Sequence, residues 1–194
     1  MRFTVFLGSR HGVREAYREA ATAFGRAMAA SGIGLVYGGG AIGLMGVLAD
    51  AVLTAGGEVI GVMPTALARK EIMREDLTEL HVVPSMHERK ALMAELGDCF
   101  VALPGGLGTF EELFEVWTWA QLGYHDKPCA LLNVEGFFDR MLTFVDYARG
   151  EGFLLPVDRR ILGVDTDPKA LVEKLHLELI TRTPAKPGVD TNLI

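Results

Sequence analysis

Short apolar runs recur along the chain, separated by longer stretches in which apolar residues fall at helical spacing. The runs span Phe3 to Leu7, Gly34 to Tyr37, Glu58 to Met63, Leu80 to Val83, Cys99 to Leu103, Cys129 to Asn133 and Ile161 to Val164. Helical periodicity marks Arg14 to Ala30, Leu44 to Ala55, His87 to Leu96, Phe110 to Leu122, Phe137 to Arg149 and Pro168 to Leu175. The runs show little strict period-two alternation, which suits parallel strands covered on both faces rather than strands with one wet side. Strand and helix alternate, so the pattern predicts a single α/β domain: an open parallel sheet with right-handed crossovers and helices on both faces.

No low-complexity linker or shift in composition divides the chain, and residues 1 to 180 are expected to form one unit. The tail Thr181 to Ile194, TRTPAKPGVDTNLI, has two prolines, one glycine and no apolar stripe, and is expected to be extended or flexible. The charged segment Pro64 to Leu80 reads either as a short helix or as a loop over a pocket.

Composition narrows the function. With 194 residues, 49% of them hydrophobic and 23% charged, the chain is large and apolar enough to bury a core without disulfide or metal staples. Cys99 and Cys129 sit against apolar runs, as buried thiols of a reducing compartment do. The first apolar run ends at a glycine and no 18-residue apolar span follows, which argues against a signal peptide or membrane segment and for a cytoplasmic protein. A formal charge of -6 without a basic block argues against binding nucleic acid by phosphate neutralisation. A single small phosphate is another matter, since a few backbone N–H groups and one or two cations can hold it.

Three glycine-bearing turns follow the first, second and fifth runs. The strand-like LVYG leads into Gly38, Gly39, Gly40, Gly43 and Gly46, a pattern that overlaps a dinucleotide fingerprint but lacks the acidic residue expected in VIGVMP. Those glycines serve either a tight turn or ligand contact. The run Cys99 to Leu103 enters Pro104, Gly105, Gly106, Leu107, Gly108 and Thr109, where successive N–H groups and a hydroxyl suit an anion. No lysine stands in the position that nucleotide triphosphate hydrolysis would need. The first run ends in Gly8, Ser9 and Arg10, and all three turns are expected at the carboxyl edge of the sheet, where ligands of open α/β folds bind.

Two charged positions stand out on helical wheels. In MHERKALMAELG the residues Leu92, Met93 and Leu96 form an apolar stripe that includes Arg89, whereas His87 and Lys90 lie off it. An inward arginine must snorkel, pair with a carboxylate or meet an anion. In the helix assigned from Phe110, Leu113, Val116, Trp117 and Ala120 face inward, Glu111 and Glu115 face away, and Glu112 lies on the flank in the first turn. Glu112 is thus a partner for Arg89, or else merely a carboxylate favoured by a helix N-terminus. No histidine or cysteine spacing suggests a metal site.

The segments GIGLVYGGGAIGLMG, ELHVVPSMHERK, ALPGGLGTFEEL and TWAQLGYHDKPCALLN resemble the LOG family of cytokinin riboside 5'-monophosphate phosphoribohydrolases, from Phe3 to about Leu175. Bacterial members of that family often carry the label lysine decarboxylase. The resemblance implies a Rossmann-like fold, a homodimer as basic unit, no cofactor, and cleavage of the N-glycosidic bond of a nucleoside 5'-monophosphate. It implies catalytic roles for Arg89 and Glu112, with Lys90 as the second member of the MHxRK pair and Pro104 to Thr109 as the phosphate turn. Further substrate contacts are expected at Ser9, Gly39, Gly40, Met45, Glu71, Phe110 and Glu111. The decarboxylase label fits poorly: a pyridoxal phosphate enzyme needs a Schiff-base lysine, and none of Lys70, Lys90, Lys127, Lys169, Lys174 and Lys186 sits in such a context. A non-catalytic nucleotide-binding protein is the alternative. Phe114, Trp117 and Trp119 put aromatic surface on more than one face of their helix, a modest sign of a dimer contact.

Overall fold

The computed structural model describes residues 1–68 and 73–182. Seven strands make one sheet: β1 (Arg2–Phe6), β2 (Gly34–Tyr37), β3 (Val59–Pro64), β4 (Glu79–Val83), β5 (Cys99–Ala102), β6 (Cys129–Leu132) and β7 (Leu162–Asp165). Their order is β4-β3-β2-β1-β5-β6-β7 and every pairing is parallel. The helices are α1 (Glu15–Ala30), α2 (Gly43–Thr54), α3 (Thr65–Ala68), α4 (Met86–Leu96), α5 (Leu107–Gln121), α6 (Asp139–Gly150), α7 (Pro156–Arg159) and α8 (Pro168–Thr181).

Because both faces of the sheet are covered, successive residues of a strand enter different cores. Along β5 and its continuation, Cys99, Val101 and Leu103 pack with α1, α2 and α8, while Phe100 and Ala102 pack with α4, α5 and α6. Both cysteines are buried thiols, pushed up by burial, Cys129 to about 12. Winding proceeds from β1 through β2 and β3 to β4 on one side, and from β5 through β6 to β7 on the other. The direction therefore reverses between β1 and β5, and the crevice beyond their carboxyl ends is the topological switch point.

Several boundaries differ from the periodicity. Helix α5 begins at Leu107, with Gly106 as its N-cap, because the glycine turn itself starts the helix. Glu112 consequently lies in the second turn, beyond the stretch where the helix terminus alone favours a carboxylate. Helix α6 starts late: a single 3-10 turn, Val134–Gly136, comes first, and Asn133 caps the junction by accepting from the Phe138 N–H (2.8 Å) and donating to Asp139 (2.7 Å). The short α7 has no counterpart in the sequence pattern, and α8 continues to Thr181. Of the expected tail, Thr181 is helical and Arg182 pairs with Asp126 at 2.6 Å; residues 183–194 lie outside the described residues. Trp117 is buried with its Nε1 donating to the Asp158 carbonyl (2.9 Å), and Trp119 packs partly buried against the same core. Of the three aromatics only Phe114 is exposed. Among the described residues no helix is long and apolar enough to cross a membrane.

Candidate active site

The three glycine turns meet at the switch point and are laced by backbone bonds. The Gly8 N–H donates to the Pro104 carbonyl (3.1 Å), and the Gly8 carbonyl accepts from the Leu44 N–H (3.0 Å) at the start of α2. Gly43 has φ +64°, and a Cβ there would run into the backbone of Ser9 and Arg10. Glycine is required here for close approach of two loops, and an N–H at the α2 terminus is already bonded inside the protein. Gly39 and Gly40 are likewise engaged: the Gly39 carbonyl accepts from Arg74 N–H (3.2 Å), and Gly40 bridges Met73. Neither lines the adjoining cavity, whereas Ser9 and Met45 do.

The turn after β5 is built differently. Gly105 is packed tightly, since a Cβ would collide with the buried Thr109 hydroxyl and lie 2.9 Å from the Gly8 nitrogen. Around Gly106 and Gly108 a Cβ would meet no atom of the described chain. Packing therefore does not demand glycine at these two positions, and both border the cavity. The first-turn N–H groups of α5 have no intrahelical acceptor and no side chain caps them, leaving the positive end of the helix directed at this space.

That cavity, about 600 Å³ in volume, is lined by the loop after β1, the start of α2, Leu67 of α3, the first turn of α4, and Pro104 to Thr109 with Glu111 and Glu112. Its size suits a nucleotide-sized ligand. A smaller hollow of about 400 Å³ lies at the opposite edge of the sheet, where Arg2 and Glu58 already close an ion pair at 2.7 Å.

Two helices bring the charged pair to the cavity. Ser85 caps α4 by accepting from the Glu88 N–H (3.2 Å) while its hydroxyl donates to the Glu88 carboxylate (3.0 Å), and this fixes the helix start one turn before Arg89. At the other end, Thr4 donates to the Met93 carbonyl (2.8 Å), and Lys127 Nζ donates to the carbonyls of Ala94 and Gly97 (2.6 Å each). So anchored, α4 places Arg89 Nη2 3.8 Å from Glu112 Oε1, with the side chains only 8% and 12% exposed. Burial raises the Glu112 carboxyl to about 7, against the opposing pull of Arg89. Arg89 Nε is buried without an acceptor among the described residues. Gly38 makes room for this arginine, since a Cβ there would occupy the position of Arg89 Nη2.

Lys90 departs from its expected position off the apolar stripe. It is 9% exposed, and its Nζ donates to Glu111 Oε1 at 2.5 Å and Glu115 Oε1 at 2.9 Å. Burial opposes its charge, but the two carboxylates outweigh that and its pKa is raised. A wheel drawn for one helix cannot reveal this, because the partners come from α5. Lys90 does not line the cavity, and nor does Phe110, which stacks with Phe137 at 6.3 Å. Leu107 lies at the rim, 89% exposed, and Glu71 lies outside the described residues. Tyr17, Met86 and Phe137 line the cavity without having been singled out. An S-x-x-E capping box signals the position of Met86, whereas no local pattern marks the two aromatics. None of the described lysines lines the cavity, and Lys70 and Lys186 lie outside the described residues. No cluster of histidine, cysteine or carboxylate side chains suited to a metal occurs among the described residues.

Comparison with known proteins places the chain in a family. A family model described as "Possible lysine decarboxylase" matches residues 45–175. Cytokinin riboside 5'-monophosphate phosphoribohydrolase LOG5 of Arabidopsis thaliana is 52% identical over 175 residues, covering 90% of this chain and 77% of the relative. The probable cytokinin riboside 5'-monophosphate phosphoribohydrolase LOGL2 of rice, Oryza sativa subsp. japonica, is 51% identical over the same share of this chain and 72% of its own. Among solved structures, the molybdenum cofactor carrier protein of Chlamydomonas reinhardtii superposes with a TM-score of 0.69 at 20% identity, covering 93% of this chain and 98% of that one, a likeness of fold alone. With relatives at this identity along nine-tenths of its length, the chain belongs to the LOG family.

Proposed function

We propose that the protein hydrolyses the N-glycosidic bond of an adenine-type nucleoside 5'-monophosphate, a cytokinin riboside 5'-monophosphate or AMP, releasing the free base and ribose 5-phosphate. The observation that carries this reading is a buried arginine–glutamate pair beside an uncapped helix N-terminus in one nucleotide-sized cavity. The N–H groups of Gly106 to Thr109 hold the 5'-phosphate. The Glu112 carboxylate stabilises the positive charge that develops on the ribose as the bond to the base breaks, and it directs the attacking water. Water oxygen bonds to the anomeric carbon, the bonding pair leaves with the base, and the water proton passes to the carboxylate and on to solvent or base. Arg89 orients Glu112 and offers its remaining donors to ribose or phosphate.

The names of the plant relatives support this substrate class, and the apolar side chains of Leu44, Met45, Leu67 and Met86 on the cavity wall suit a prenylated base. The working unit in this reading is a homodimer, supported by the exposed aromatics Phe114, Phe144, Tyr147 and Phe153 on the α5 and α6 side. Purified protein incubated with AMP and with isopentenyladenosine monophosphate, with released base followed by chromatography, tests the activity. Release of base from at least one substrate is expected. Tight nucleotide binding without any product would make the protein a carrier instead.

A further inference from the structure

The α4–α5 contact holds more charge than the Arg89–Glu112 pair. Helix α5 presents carboxylates at 111, 112 and 115, and α4 answers with Arg89 and Lys90. The division of labour is unequal: Arg89 faces Glu112, and Lys90 takes both others. Lys90 stands outside the cavity, so it does not reach substrate from this position. Glu115 Oε2 is buried with no bonding partner among the described residues, which leaves the Lys90 ammonium as the main compensation for that carboxylate. Besides Arg89, Glu111 and Glu112, the polar side chains on the cavity wall are Ser9, Arg10 and His11 from the loop after β1, Tyr17 from α1, and Thr109 from α5.

Building on the reading that Glu112 does the chemistry, we propose that Lys90 is a positioning residue: it clamps Glu111 and Glu115 and balances their charge, thereby setting the pH range over which Glu112 works. The physical basis is the placement of these charges: Glu111 and Glu115 flank Glu112 on α5, and the buried Lys90 ammonium bonds to both, with Glu115 mostly buried and Glu111 half exposed. Glu111 and Glu115 disfavour an ionised carboxylate at 112, and the buried ammonium bonded to both acts in the opposite direction.

The test is the pH–rate profile of kcat/KM for the nucleoside monophosphate hydrolysed, measured for the intact protein. The limb belonging to Glu112 is the one missing from the residual activity of Glu112→Gln. Lys90→Met is expected to move that limb upward by about 1 pH unit, and Glu115→Gln to move it downward, while Lys90→Arg leaves it near the wild-type position. A brace between helices without electrostatic influence would lower thermal stability in these variants and leave the limb in place. Should Lys90→Met fail to fold, Glu115→Gln and Lys90→Arg carry the same test. Unmoved limbs, or limbs that move in the same direction in Lys90→Met and Glu115→Gln, overturn the role of Lys90 alone. Near-wild-type activity of Glu112→Gln overturns the catalytic reading itself, and Lys90's role with it.

Discussion

Replacing Glu112 by glutamine keeps the shape of the side chain and removes its titration, so it separates what the carboxylate does for the reaction from what it costs the fold. The side chain is 12% exposed, and burial lifts its carboxyl from an ordinary 4.5 to about 7. Below pH 4.5 the group is neutral in both the folded and the unfolded chain, and its burial carries no charge penalty. Between 4.5 and about 7 the unfolded chain releases the proton while the folded chain keeps it, so stability declines as pH rises and levels off above about 7. At about 1.4 kcal/mol per pH unit, that interval costs wild type about 3 kcal/mol. The attraction of Arg89 is already contained in the value of about 7 and needs no separate term. Glutamine carries no such charge, so the stability of Glu112→Gln relative to wild type is expected to grow by about 3 kcal/mol from about pH 4.5 to about pH 9. Urea denaturation of both proteins at several pH values measures it. The same variant loses the charge that stabilises the transition state, and kcat is expected to fall about 10²-fold or more with a smaller change in KM. A stability difference that stays flat with pH would refute the buried, raised carboxyl. A kcat near wild type would refute its part in the chemistry.

Two glycines test the remaining parts of the site. Gly38→Ala places a methyl where Arg89 Nη2 lies, and because the obstructed group is the tip of a flexible side chain, stability should change by less than about 1 kcal/mol while kcat/KM falls about 10²-fold. Wild-type kcat/KM in a correctly folded Gly38→Ala protein would remove Arg89 from the reaction. Gly108→Ala adds a methyl that meets nothing in the chain, so Tm should hold or rise, by up to about 1 kcal/mol in stability from helix propensity. Its KM for AMP should nevertheless increase, with any slow cleavage of adenosine unaffected; unchanged KM for AMP would leave the glycine turn as architecture only.

The strands and most helices were legible because burial on both faces writes itself into each segment as a run without alternation. Helix starts were less so. The α5 start at Leu107 and the 3-10 turn before α6 depend on glycine turns and on the Asn133 side chain, and apolar spacing does not record either. The inward position of Arg89 and its pairing with Glu112 could be inferred, since a cation on an apolar stripe requires a partner. The burial of Lys90 could not, because its own helix gives it no reason to face inward and both of its carboxylates belong to α5.

By itself, then, the sequence determined the alternating α/β architecture, the three turns at one edge of the sheet, the family, and the identities of the arginine and glutamate that meet there. Which glycines face empty space and which are locked against another backbone was decided only by the tertiary structure. Gly39, Gly40 and Gly43 look as open to a ligand as Gly106 and Gly108 when read along the chain, yet the first three are taken up by Arg74, Met73 and the Ser9–Arg10 backbone. The reason is physical: a glycine reports only that a side chain is excluded or a backbone angle allowed, and whether protein or ligand occupies the space depends on segments distant in sequence that the sheet order brings together.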